Sequence, residues 1–109
     1  MNKIVQVDIE DIIFDPEDVG SMLTNCLKRP RKVRLAGACD TGGILVVSFE
    51  DSPERSESQI VLAPFPEPGA DEIASEISMR YQKGFTLRSS FRAGDSLWGL
   101  FEYNKPPKA

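Results

Sequence analysis

Apolar and polar positions alternate at the start of the chain. Val5, Val7 and Ile9 interleave with Gln6, Asp8 and Glu10, the period of two expected of a strand with one buried face. This pattern predicts a strand that ends near Ile13-Phe14. Asp15 then suits a helix N-cap, Pro16 the first helical position, and Glu17-Asp18 the positive end of the helix. Val19, Met22, Leu23, Cys26 and Leu27 recur at helical spacing and form one apolar face. Lys28 and Arg29 fall in the last turn, and Pro30 stops the helix.

A hairpin pattern follows. Val33 to Cys39 forms one arm, Asp40-Thr41-Gly42-Gly43 the turn, and Ile44 to Glu50 the return arm. Residues 52–58 are polar, contain Pro53 and predict an exposed loop. The order of signals then repeats. Gln59 to Ala63 is a short apolar run, hence a strand, and Pro64 to Gly69 is a stiff connector. Ala70 to Gln82 has helical period, with Ile73, Ala74, Ile77 and Tyr81 on one side, Asp71 and Glu72 at its start, and Lys83-Gly84 as a C-terminal cap. Phe85 to Phe91, a turn at Arg92 to Asp95, and Ser96 to Tyr103 make a second hairpin, and residues 104–109 read as a loose tail.

The two halves align. Val33 matches Phe85, Leu35 Leu87, Gly42 Gly94, Leu45 Leu97, Phe49 Phe101 and Glu50 Glu102, all at an offset of 52. The helices align at 54, with Val19 on Ile73, Leu23 on Ile77 and Leu27 on Tyr81. Each half therefore reads β-α-β-β. A right-handed crossover followed by a hairpin places the third strand between the first two. The expected fold is α+β: two β-α-β-β repeats forming a mostly antiparallel sheet with both helices on one face, ferredoxin-like or related. It is read as a single domain over 1–109, with halves at 3–51 and 59–103.

Gly84-Phe85-Thr86-Leu87 and Leu100-Phe101-Glu102 resemble a motif of small bacterial β-α-β-β domains of unknown function. That motif runs Gly-Trp-Glu-Leu-Val after the helix and ends on an apolar-Phe strand. Here the tryptophan and first glutamate of the motif are replaced, and the first half lacks the glycine. The resemblance covers about half the chain, and it implies a tandem arrangement but no activity.

Composition removes several chemistries. The 109 residues include no histidine, which rules out Ser-His-Asp and Cys-His catalysis and histidine metal sites. Cys26 and Cys39 are too few for a disulfide scaffold, and both read as small buried apolar side chains. Asp40 beside Cys39 disfavours a reactive thiolate. There is no phosphate-binding glycine loop, no metal site and no implied cofactor. The net charge of −4 argues against nucleic acid as the main partner. No apolar run is long enough to span a membrane, and polar residues interrupt the N-terminus too early for a signal peptide. The cytoplasm is the expected compartment.

Candidate sites come from the two return arms, which are apolar on both faces. Leu45, Val47 and Phe49 point one way and Ile44, Val46 and Ser48 the other, while Leu97, Gly99, Phe101 and Tyr103 oppose Trp98 and Leu100. A half-solvated antiparallel sheet alternates instead. The second face needs a cover: another chain, the other half folding over, loops, or a ligand. Ile44, Val46, Trp98 and Leu100 are the candidate binding or oligomer face. Basic residues cluster at Lys28 to Arg34 and again at Arg80 to Arg92. Arg31, Arg34, Arg88 and Arg92 are therefore candidate anion contacts, with Trp98 or Phe91 available for stacking. The acidic cluster from Asp8 to Asp18 matches no calcium loop, and helix capping accounts for half of it. The favoured reading is a non-enzymatic, homo-oligomeric interaction or regulatory module, a dimer. The alternative is a small-ligand or anion-binding protein built around Trp98. An enzyme would have to act through carboxylates, lysines or tyrosine, and no residue spacing supports one.

Overall fold

The computed structural model describes residues 3–28, 32–53 and 58–103, with only the backbone of Lys28. Arg31, part of loop 52–58 and the tail 104–109 lie outside the described residues. The element order is β1 (Lys3–Asp8), α1 (Ile9–Phe14), α2 (Pro16–Lys28), β2 (Val33–Asp40), β3 (Ile44–Asp51), β4 (Gln59–Pro64), α3 (Ala70–Gln82), β5 (Phe85–Ala93) and β6 (Ser96–Tyr103).

The α+β class holds, and each unit places its last strand centrally. The sheet orders are β1-β3-β2 and β4-β6-β5, antiparallel throughout. The two units match in detail. Both helices α2 and α3 span 13 residues. Both second strands carry a register shift at equivalent positions, between Leu35 and Gly37 and between Leu87 and Ser89. Both hairpin turns use a glycine at positive φ, Gly42 at 100° and Gly94 at 64°, a conformation that a Cβ disfavours.

Three expectations change. The opening strand stops at Asp8, and residues 9–14 form the short helix α1. Ile9 and Ile12 are both buried, and their i,i+3 spacing fits a helix as well as the preceding alternation fits a strand. Glu10 and Asp11 also lie in its first turn, where acidic side chains favour the helix dipole. The second helix begins as expected, with the Asp18 amide donating to Asp15 Oδ1 at 3.1 Å.

The six strands form two sheets rather than one. Strands β2 and β5 lie side by side, but the bonds across the gap use side chains. Ser89 Oγ donates to the Ala38 carbonyl at 3.2 Å, and the Arg92 amide donates to Asp40 Oδ2 at 3.1 Å. Asp40 and Arg92 are equivalent positions 52 apart. The neighbouring strands thus run in the same direction in matched register, as around a local twofold along the strands.

Such an axis reverses which face of each sheet looks up, so the helices do not share one side. Val19, Leu23 and Leu27 of α2 are buried with Leu45, Val47 and Phe49 in the central cluster. On α3, by contrast, the Arg80 guanidinium lies 5.0 Å from the ring centroid of Phe101, on the opposite face of β6 from Trp98 and Leu100.

Candidate functional site

The central cluster answers what covers the second face of β6. Trp98 is 7% exposed and Leu100 0%, and both join the cluster that contains Leu23, Leu45 and Val47. The Trp98 ring stacks on Phe91, with centroids 6.2 Å apart and planes 24° apart. The first unit therefore folds over this face, while α3 covers the other. Trp98 and Leu100 do not form a surface with Ile44 and Val46.

The matching face of β3 has a different environment. Ile44 and Val46 are half-buried and sit on the outer face of the first sheet. Their register neighbours there are Asp8 and Gln6 on β1 and Cys39 on β2, all three exposed. Ile4, paired with Ser48, adds a third large aliphatic side chain and is 55% exposed. Sequence reasoning missed Ile4 because the odd-numbered series Val5, Val7 and Ile9 dominates the pattern. The available signal was an apolar residue in the otherwise polar even-numbered series.

The edge of this face carries both charges. Arg34 Nε lies 2.6 Å from Glu50 Oε1 across the β2–β3 pair. Cys39, read from sequence as buried, is exposed on this face, and Cys26 is partly buried against the core. The position of Cys39 follows from the register shift at Ala36, which puts Ala38 on the core side and turns Cys39 outward.

The basic candidates do not converge. Arg34 is paired with Glu50, and Arg88 Nε lies 2.8 Å from Glu102 Oε1. Glu102 also accepts a hydrogen bond from Ser58 Oγ. Arg92 is exposed at the β5 turn, where its backbone amide binds Asp40. Arg31 lies outside the described residues. Two of the three described candidate arginines thus meet carboxylates of their own chain.

Among the described residues no group of three or more cysteine, aspartate or glutamate side chains is placed to hold a metal ion. No helix among them is long and apolar enough to cross a membrane. Comparison with family models, curated proteins and solved structures gave no match. The resemblance to small bacterial β-α-β-β domains therefore rests on the sequence pattern alone.

Proposed function

We propose that the chain is a cytoplasmic, non-enzymatic protein-interaction module that self-associates through the outer face of its first sheet. The observation that carries this reading is the unequal cover of two matching sheets. The second sheet has both faces covered, by α3 and by the first unit. The first has one face in the core and presents Ile4, Ile44 and Val46 on the other. Apolar sheet faces of this kind are where association removes the most water-exposed hydrocarbon.

A twofold-related copy suits the face. Its centre is aliphatic and one edge bears the Arg34–Glu50 pair, so an isologous contact can set Arg34 of each copy against Glu50 of the other. The tandem β-α-β-β resemblance fits this reading, because the second unit buries within one chain a face that the first leaves for a partner.

Sedimentation velocity of the wild type and of Val46→Lys tests the proposal. A dimer that becomes monomeric in the variant, with its far-UV circular dichroism unchanged and its melting temperature lowered only by the lost association, is the expected result. A wild type that sediments as a monomer at high concentration contradicts it.

A further inference from the structure

Among the described residues, three of the four sheet edges are occupied. Strands β2 and β5 face each other through Ser89 and Asp40, and α2 lies along β4. There Thr24 Oγ1 accepts the Ile60 amide at 2.9 Å. Strand β1 is the exception. The Ile9 amide donates to the Gly43 carbonyl at 3.0 Å, in phase with the β1–β3 register. Odd-numbered residues therefore bond to β3, and Ile4 and Gln6 turn their N–H and C=O groups to the open edge. By register, Gln6 corresponds to Pro64 in the second unit. Pro64 has no N–H to offer an incoming strand, and edge prolines block such pairing. The first unit lacks that block.

A groove of about 660 Å³ runs beside this edge, between β1, α1 and α2, and Ile44 of the outer face also lines it. Phe14, 91% exposed, and Met22 give it apolar walls. Asp8, Asp11, Asp15 and Asp18 line it as well, and none of its lining residues among those described is basic. An open main-chain edge, apolar walls and one sign of charge together define an occupant.

We infer that this groove takes an extended, lysine- or arginine-bearing segment of another protein, added to β1 as a fourth strand. Main-chain bonds to Ile4 and Gln6 supply the register, alternate apolar side chains reach Phe14 and Met22, and the cations meet the aspartates. A second copy does not suit the groove, because symmetric β1 pairing would set the two aspartate rims against each other. The inference rests on the reading of the chain as an interaction module and does not depend on self-association.

The test is fluorescence anisotropy with a labelled peptide of about eight alternating lysine and valine residues, a usual strand length. Two controls accompany it: the glutamate-valine counterpart, and the lysine peptide N-methylated at alternate backbone nitrogens. Only the unmodified lysine peptide should bind. Its affinity should fall about tenfold or more in Gln6→Pro, which carries the second unit's block into the first. It should fall several-fold, with a weaker salt dependence, in Asp8→Asn/Asp11→Asn, which keeps a capping residue ahead of α1. Equal binding of the N-methylated or glutamate peptide overturns the inference, as does full affinity in a folded Gln6→Pro or no binding at all. The N-methylated peptide keeps the test decisive if Gln6→Pro fails to fold. Because Ile44 belongs to both surfaces, sedimentation and the titration are repeated on monomeric Val46→Lys: a peptide that neither the wild-type dimer nor this monomer binds removes only the groove and leaves self-association standing.

Discussion

The hydroxyl of Thr24, on α2, accepts the backbone amide of Ile60, on β4, at 2.9 Å. It also donates to the Gly20 carbonyl one turn earlier, at 2.8 Å. This buried threonine joins a helix of the first unit to an edge strand of the second, and it satisfies an edge amide that water does not reach. Thr24→Val keeps the shape and leaves the Ile60 amide unpaired. It should cost about 1–3 kcal/mol, the penalty for a buried unsatisfied donor, while Thr24→Ser should retain most of the stability. Chemical denaturation of the two variants checks this.

Gly20 permits the same approach. A Cβ at this position would lie 2.9 Å from the Ile60 carbonyl oxygen, and that atom is backbone with little freedom to yield. Alanine in a helix interior normally stabilises by about 1 kcal/mol relative to glycine. Gly20→Ala should reverse that sign and lower the melting temperature, because the helix must move off β4. Calorimetry of the single variant gives the sign.

Trp98 and Val46 should respond with very different magnitudes. Trp98→Ala removes a ring buried against Phe91 and should cost about 3–5 kcal/mol. Val46→Ala, on the half-open outer face, should cost about 1 kcal/mol or less in the monomer. The emission of Trp98 should be blue-shifted and poorly quenched by iodide. Urea melts and a quenching series decide both points.

The two arginine–carboxylate pairs should also differ. Glu102 is buried and joined by Arg88 and Ser58, so Glu102→Ala strands polar groups and should cost about 2–3 kcal/mol or more. Glu50, paired with Arg34 on the surface, should cost about 1 kcal/mol or less when replaced by alanine. Thermal melts of the two variants, run side by side, make the comparison.

Much of the fold was legible along the chain. Asp15 and Pro16 marked the start of α2, and helical spacing delimited α3. The offsets of 52 and 54 reproduced the pairing of hairpins and helices, because periodicity and turn chemistry are local properties. The relation between the units was not legible. Neither Asp40 nor Arg92 signals that the two meet, and a bulge at Ala36 or Arg88 has no fixed sequence signature. The face of Trp98 and Leu100 was legible as needing a cover, but not which of the open alternatives supplies it; the cover is the other unit. Thr24 reads as an ordinary polar residue within a helix. Its contact with Ile60 spans 36 positions, beyond the reach of a local pattern. The pairing of the candidate arginines was hidden for the same reason, since the carboxylates that meet Arg34 and Arg88 lie on neighbouring strands.

The most direct test of the account is the native mass by light scattering after size exclusion, at low and at high salt. The account predicts a salt-resistant species of twice the 12.1 kDa chain mass, held by Ile4, Ile44 and Val46. A monomer at both salt concentrations would contradict it.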